Sequence, residues 1–209
     1  MNRVLYLHGF ASGPDSGKGR FFRERFAALG VPVDLPDLES GDFESLTLTR
    51  QLDVVDRCVR SGEPGVIIGS SLGGYLAALY AARHPGRFRL ALLAPGFGFA
   101  RRWPARLGES VAQEWRERGW MEVFHYGRQA TARIGYGLVQ DGLQYEDYPE
   151  VRDPVLVVHG VKDDVVPAEW SQEFAAGKPN VKLVLVDSDH ELLGVLDEIW
   201  RAVQAFWAV

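Results

Sequence analysis

The chain has 209 residues, a length typical of one domain with a single buried core. Its formal net charge of −5 excludes the basic surface on which nucleic-acid-binding proteins and proteins bound to anionic membranes depend. Its one cysteine, Cys58, excludes an internal disulfide and a metal site built on several thiolates. We therefore expect a single domain over residues 1–209 that acts on a small molecule.

The apolar runs of the sequence are short. None approaches the roughly 18 residues that a membrane-spanning helix needs. The first run, at residues 4–7, is also too short for the core of a signal peptide. Together with the single cysteine, these observations predict a cytoplasmic protein without a membrane span.

Short β-branched or leucine-rich runs alternate with helical patterns along most of the chain. Such alternation is typical of an α/β protein whose mainly parallel sheet is covered by helices on both faces. The helical patterns lie at residues 22–29, 48–59, 76–82 and 192–206. The six predicted strands lie at residues 4–7, 31–35, 65–68, 90–93, 155–158 and 181–186.

A strand, a turn rich in glycine and serine, and a helix follow one another at residues 65–82. The turn, GSSLG, has the GxSxG pattern of a nucleophile elbow, with Gly69 and Gly73 on either side of Ser71. Glycines are needed there because the turn is sharp and its backbone passes close to its neighbours. We predict that Ser71 is a nucleophile and that the amide of Leu72, at the helix start, binds a developing oxyanion.

Two other interpretations of this turn are possible. One is a Gly-Ser turn without chemistry, because the GxSxG pattern also occurs by chance. The other is a phosphate-binding loop, since a glycine-rich turn before a helix also binds anions. That loop requires a lysine after its last glycine, whereas Gly74 is followed by Tyr75 and Leu76.

The first strand runs into His8, Gly9 and Phe10 and then into a stretch rich in glycine and serine at residues 11–19. In hydrolases with a nucleophile elbow, the second oxyanion donor is a backbone N–H just after the strand beside the nucleophile strand. This position predicts the amide of Phe10 as that donor. We expect His8 to hydrogen-bond backbone at the turn rather than to take part in catalysis.

The segment at residues 97–148 breaks the alternation of strands and helices. It contains no clear strand, so we predict a helical insertion that forms a small cap over Ser71. The alternative is an ordinary packed helix pair, because aromatic residues are typical of both. The aromatic residues concerned include Trp103, Trp115, Trp120, Phe124, Tyr126 and Tyr136.

The last two strands each end in residues suited to acid-base chemistry. The strand at 155–158 is followed by the adjacent pair Asp163 and Asp164, and the strand at 181–186 is followed by His190. A carboxylate after one strand end orients a histidine base after the next, as in a Ser-His-Asp triad. The order serine, aspartate, histidine along the chain is that of α/β-hydrolases. We predict His190 as the base, with the two aspartates competing as its partner.

The remaining histidines predict no metal centre. We expect His84 to cap the end of a helix and His125 to have a packing or surface role, with a place in the lining of the pocket as the alternative. The five histidines show no metal-binding spacing such as HExxH, so we predict neither a metal nor a cofactor.

With these motifs in view, the chain resembles the serine hydrolases of the α/β-hydrolase superfamily over nearly its whole length. Its LYLHGF, SGKG and GSSLGGY segments are similar to those of small bacterial esterases. Its HGVKDDVVP and DSDH segments are similar to those of the mitochondrial acyl-glucuronide esterases and depalmitoylases of the α/β-hydrolase-domain group. The resemblance implies Asp163 as the acid, Ser71 as the nucleophile and His190 as the base. It also implies a doubly wound, six-stranded sheet with strand order 2-1-3-4-5-6.

We expect hydrolysis of a carboxylic ester or thioester with a small to medium acyl group. Little of the chain lies outside the sheet, its helices and one insertion, which predicts a shallow, apolar pocket. A lyase, a cofactor-free peroxidase or a ligand-binding module of the same fold is the alternative, while no feature of the sequence favours a peptidase. We make no prediction of oligomeric state.

Overall fold

The computed structural model describes residues 3–207 and the side chains of residues 3–206. Six strands form a parallel sheet in the order β2-β1-β3-β4-β7-β8, and β5 and β6 form a separate antiparallel hairpin. The strands within the described residues are β1 (Val4–Leu7), β2 (Val33–Asp34), β3 (Val66–Ser70), β4 (Arg89–Leu93), β5 (Trp120–His125), β6 (Ala130–Gly135), β7 (Val155–Gly160) and β8 (Val181–Val186).

The predicted strand order is confirmed. Counting only the strands of the large sheet, their order is 2-1-3-4-5-6. Strands β1, β3 and β7 are buried at every residue, as a parallel sheet with two covered faces requires. Strand β2 is shorter than predicted because Pro32 and Pro36 flank it, and a proline has no N–H for a strand ladder.

Helices pack on both faces of the sheet. One face is covered by Phe22 and Phe26 of α1 and by Ile199 and Val203 of α8. Residues of α2, α3, α7 and the segment 97–148 cover the other. Among residues 3–207, no helix has the length and apolar character needed to cross a membrane. The helices are α1 (Gly17–Ala27), α2 (Leu48–Ser61), α3 (Leu72–Arg83), α4 (Phe99–Leu107), α5 (Glu109–Arg118), α6 (Gly137–Gly142), α7 (Ala168–Ala175) and α8 (Leu196–Trp207).

The prediction of a wholly helical insertion at 97–148 is wrong. The segment contains α4, α5 and α6, but the β5–β6 hairpin lies between α5 and α6. The hairpin is stabilised from outside itself: Trp115 donates to the carbonyl of Ile134 over 3.1 Å, and the Gly135 N–H donates to the carbonyl of Glu44 over 2.8 Å. The sequence itself records none of these remote partners. Glu122 and Arg133 are paired on the exposed face of the hairpin, and few residues, such as Val123 and Ile134, pack inward.

Candidate active site

Ser71 lies on the sharp turn between β3 and α3. Its φ and ψ angles are 51° and −118°, a conformation that costs energy for any residue other than glycine. A Cβ atom on Gly69 would lie 2.3 Å from the carbonyl oxygen of Gly73. A Cβ atom on Gly73 would lie 2.2 Å from the carbonyl oxygen of Leu7 in β1. The turn is therefore so tight that both flanking positions have room only for glycine, which agrees with the sequence-based expectation.

His190 and Asp163 meet Ser71 at the same edge of the sheet. Asp163 follows β7 and His190 follows β8, so all three residues lie just beyond the carboxyl ends of strands. The Nε2 atom of His190 is 3.1 Å from the Oγ atom of Ser71, and its Nδ1 atom is 2.7 Å from Oδ2 of Asp163. The three side chains form one continuous hydrogen-bonded chain across loops that are distant in sequence.

Asp163, rather than Asp164, is the member of the pair that contacts His190. Its side chain is fully buried, and its Oδ1 atom accepts the N–H groups of Val165 and Val166 at 2.9 and 2.7 Å. Asp164 lies on the exposed side of the loop, where its carbonyl oxygen accepts a hydrogen bond from Arg106.

The surroundings of Asp163 favour its charged form. Burial alone raises the pKa of this carboxyl, but the hydrogen bonds from His159 and His190 and the backbone N–H of Val166 outweigh burial. Together they hold the pKa of Asp163 well below its usual range. The carboxylate is thus charged at neutral pH and available as an acceptor for His190.

His159 is a site residue that the sequence analysis missed. Its ring is completely buried at the end of β7, and its Nε2 atom lies 3.1 Å from Oδ2 of Asp163 and 2.9 Å from the carbonyl oxygen of Val166. Its Nδ1 atom lies 2.7 Å from Oγ of Ser171. Because both partners of Nε2 are acceptors, Nε2 carries a proton, and His159 donates to the same carboxylate oxygen as His190. The feature of the sequence that could have indicated this role is the position of His159, at the end of the strand that leads to Asp163 and four residues before it.

The two predicted oxyanion donors flank Ser71. Phe10 follows β1, and Leu72 begins α3 directly after Ser71. The amides of Phe10 and Leu72 donate to no acceptor among residues 3–207, whereas the neighbouring N–H of Gly96 donates to the Ser71 carbonyl at 2.9 Å. Strands β1 and β3 are adjacent, and the strand order reverses between them, which is where open α/β sheets bind ligands.

A cleft of about 1350 Å³ opens beside Ser71 and His190. This is larger than the roughly 300–1,000 Å³ of most ligand pockets. The cleft is broad and open rather than enclosed, so the shallow pocket stays a prediction. The lining is more apolar than polar, as predicted, although charged residues such as Lys18, Arg102 and Glu191 also line the cleft.

One wall of the cleft is aromatic. The ring of Phe10 lies 5.5 Å from that of Phe99 and 4.8 Å from that of Trp103. Trp115 is buried behind this wall, with its ring 5.1 Å from Trp103, and Trp120 lies against Arg118 and Arg133. The insertion therefore contributes to the cleft through α4 and the hairpin, while Trp115 belongs to the core.

The other histidines have structural partners. His84 ends α3 and its Nδ1 atom lies 2.9 Å from the carbonyl oxygen of Tyr80, as expected of a helix end. His8 and His125 are both buried, each 2% exposed. Within the described part of the chain, no group of three or more histidine, cysteine, aspartate or glutamate residues is arranged to hold a metal ion.

Comparisons with known proteins identify a family profile and an α/β-hydrolase fold. The profile described as "Uncharacterised protein family (UPF0227)" matches residues 3–207. The mouse protein named palmitoyl-protein thioesterase ABHD10, mitochondrial, is 26% identical over 207 residues, covering 90% of this chain and 69% of that protein. The chain is also similar to the solved structure of mouse alpha/beta hydrolase domain-containing protein 10, with a TM-score of 0.75, 20% identity and coverage of 97% and 89% of the two chains.

A bacterial structure is similar as well. Est1E from Butyrivibrio proteoclasticus, solved with ferulic acid bound, has a TM-score of 0.82 and 22% identity, and the match covers 100% of this chain and 88% of Est1E. These similarities identify an α/β-hydrolase fold, which confirms the fold that the sequence resemblance predicted.

Proposed function

The chain belongs to the Uncharacterised protein family (UPF0227), and we propose that it is a serine hydrolase that cleaves carboxylic esters or thioesters. The observation that carries this proposal is the hydrogen-bonded chain from Ser71 through His190 to Asp163, with distances of 3.1 and 2.7 Å. A serine on a strained elbow, beside a histidine whose other nitrogen meets a buried carboxylate, is arranged for acyl transfer.

The first half of the reaction forms an acyl-enzyme. The Oγ atom of Ser71 attacks the carbonyl carbon of the substrate while Nε2 of His190 takes the hydroxyl proton. Asp163 stabilises the imidazolium that results. The carbonyl oxygen becomes an oxyanion, which the N–H groups of Phe10 and Leu72 bind. As the intermediate collapses, His190 gives its proton to the departing alcohol or thiol.

The second half releases the acid. A water molecule gives a proton to His190 and attacks the acyl carbon, which forms a second oxyanion at the same two amides. When this intermediate collapses, Ser71 leaves as the alkoxide and recovers its proton from His190. The products are the carboxylic acid and the free enzyme, and no cofactor is consumed.

The aromatic wall of the cleft supports an apolar or aromatic acyl group. The rings of Phe99 and Trp103 stack on each other, and both are tilted against Phe10 beside the proposed oxyanion donor, where the acyl chain of a bound ester would lie. A mouse relative is named as a palmitoyl-protein thioesterase, and Est1E holds ferulic acid. Both names are consistent with acyl groups larger than acetate.

A substrate panel tests this proposal. We would compare p-nitrophenyl esters from acetate to palmitate, an acyl thioester and a peptide p-nitroanilide, with Ser71→Ala as the matched control. The proposal predicts turnover of at least one ester or thioester that Ser71→Ala abolishes. Fastest turnover of the anilide, or no Ser71-dependent turnover of any acyl substrate, would overturn it. The cytoplasmic location also stays a prediction, while the curated mouse relative is named as mitochondrial.

A further inference from the structure

Glu39 is a buried carboxylate that the proposed chemistry does not use. It lies in the turn after β2 and is 6% exposed. Its Oε1 atom lies 2.7 Å from Nε2 of His125, and its Oε2 atom lies 2.9 Å from Nη2 of Arg128. Both donors belong to the end of the β5–β6 hairpin. Burying a carboxylate without hydrogen-bond donors costs free energy, so the folded protein keeps both contacts. Glu39 therefore connects the hairpin to the turn after β2.

The hydrogen bonds of His125 fix the orientation of this tie. Its Nδ1 atom accepts the backbone N–H of Arg128 at 3.1 Å. In the neutral ring the proton therefore lies on Nε2, which donates to Glu39. The hairpin turn, the imidazole and the carboxylate thus form one set of interdependent bonds, and removing Glu39 leaves the buried Nε2–H of His125 without its acceptor.

The turn that carries Glu39 also holds the peptide unit proposed as an oxyanion donor. The N–H of Leu38 donates to Nε2 of His8 over 3.2 Å, so the proton of neutral His8 lies on Nδ1. Nδ1 then donates to the carbonyl oxygen of Gly9 over 2.9 Å. That carbonyl and the N–H of Phe10 belong to the same planar peptide unit. Fixing the oxygen therefore fixes the direction of the N–H.

The hairpin holds the residue on the other side of Phe10. The N–H of Gly127 donates to the carbonyl oxygen of Ala11 over 3.4 Å. Ala11 has a φ angle of 51°, which is unfavourable for alanine and persists only where neighbouring contacts maintain it. Within the core, Phe43 connects the same parts, since its ring lies 5.4 Å from Phe10 and 4.7 Å from His125.

From these contacts we infer that Glu39 is a positioning residue for the proposed hydrolysis: through His125 and Leu38 it orients the Phe10 peptide that binds the oxyanion. This inference rests on the proposed function for its catalytic consequence. Its structural part, the coupling of Glu39 to residues 8–12, does not.

The test compares Glu39→Ala, Glu39→Gln and Glu63→Ala. Glu63 is the matched control because it is an exposed carboxylate, paired with Arg87 at 2.9 Å, that lies outside the cleft. Loss of one oxyanion donor lowers kcat by roughly 10²–10³-fold in other serine hydrolases, so a misdirected donor should lower it less. We expect kcat of Glu39→Ala to fall about 10–100-fold with KM nearly unchanged. Glu39→Gln, whose amide oxygen still accepts from His125, should recover part of the loss.

Two further measurements separate positioning from mere stability. An aliphatic trifluoromethyl ketone forms an oxyanion on serine, so its inhibition constant should rise in Glu39→Ala by the same factor as kcat/KM falls. Hydrogen exchange at residues 8–12 should be faster in Glu39→Ala than in the wild type and in Glu63→Ala. If Glu39→Ala does not fold, Gly127→Ala replaces it, because a Cβ there would lie 2.8 Å from the carbonyl oxygen of Ser12 and displace the hairpin end.

The outcomes distinguish this inference from the proposed function. Ser71-dependent hydrolysis with Glu39→Ala equal to Glu63→Ala in kcat, or unchanged exchange at residues 8–12, overturns the inference and leaves the function standing. Absence of Ser71-dependent hydrolysis overturns the function. Faster exchange at residues 8–12 would then still support the structural coupling, and unchanged exchange would refute it.

Discussion

The cleft is formed by two regions that are held in place in different ways. At the carboxyl edge of the sheet, Ser71, Asp163 and His190 follow buried strands, and backbone contacts such as those of Gly69 set their positions. In the segment 97–148, side chains are held by residues far away in sequence, as Glu39 holds His125. At the edge of the sheet, the close backbone contacts allow few substitutions. In the segment 97–148, the positions of the side chains depend on a few residues that are distant in sequence. We therefore expect the edge to determine the proposed chemistry and the insertion to determine which substrate binds.

The largest effect is expected from isosteric substitutions at the edge of the sheet, which change a side chain's charge but not its shape. Asp163→Asn removes the carboxylate that orients His190, and Asp164→Asn changes its exposed neighbour. We expect kcat on a p-nitrophenyl ester to fall by about 10⁴-fold in Asp163→Asn, because the amide leaves His190 in the wrong tautomer. Asp164→Asn should stay within a few-fold of the wild type. A larger loss in Asp164→Asn would refute the assignment.

Adding one methyl group to each region compares how tightly each is packed. At Gly69 the methyl carbon would lie 2.3 Å from the Gly73 carbonyl oxygen, whereas at Gly137, at the start of α6, nothing lies within 4 Å. We expect Gly69→Ala to lower the free energy of unfolding by at least about 4 kcal/mol. Gly137→Ala should raise it by about 0.4–1 kcal/mol. Chemical denaturation measures both, and similar values for the two variants would contradict a rigid edge.

Two tryptophans divide the insertion into a structural and a substrate-facing part. Trp115 is buried, so Trp115→Ala should lower the free energy of unfolding by about 3–4 kcal/mol. Trp103 lines the cleft, and Trp103→Ala should instead change the ratio of kcat/KM between short- and long-chain esters, with a smaller loss of stability. Thermal unfolding and the ester panel measure the two effects. A changed acyl preference in Trp115→Ala, but not in Trp103→Ala, would reverse these roles.

The smallest predicted effect concerns His8, which lies where the two regions meet. Burial lowers the pKa of His8, and the Gly9 carbonyl and the Glu39 and Asp37 carboxylates offset this only in part. In the unfolded chain His8 therefore binds a proton near pH 6.5, whereas in the folded chain it binds that proton only at a lower pH. The contribution of neutral His8 to the free energy of unfolding should be fully present above pH 6.5. Below that pH the free energy of unfolding should decrease by up to about 1 kcal/mol per pH unit. Urea unfolding at pH 7.5 and 5.5 should show a weaker dependence in His8→Gln. An equal dependence would show that His8 is not responsible.

The same difference between the regions explains why the sequence predicts the edge of the sheet correctly but not the β5–β6 hairpin. The GSSLG turn follows a buried strand, and the order of Ser71, Asp163 and His190 is recognisable, because short local patterns encode the edge. The β5–β6 hairpin was missed because its bonds reach Glu44, Glu39 and Trp115, and no local pattern records such partners. The preference for Asp163 over Asp164 came from resemblance alone, since adjacent aspartates are equivalent until the loop is folded.

Labelling with a fluorophosphonate tests the central claim most directly, because this reagent reacts with a serine that its surroundings activate. The folded wild-type protein should be labelled, and peptide mapping should find the label on Ser71. His190→Ala should be labelled far more slowly, and the heat-unfolded protein not at all. A folded wild-type protein that is not labelled, or one that carries the label on another residue, would contradict the proposal that Ser71 is the nucleophile of this protein.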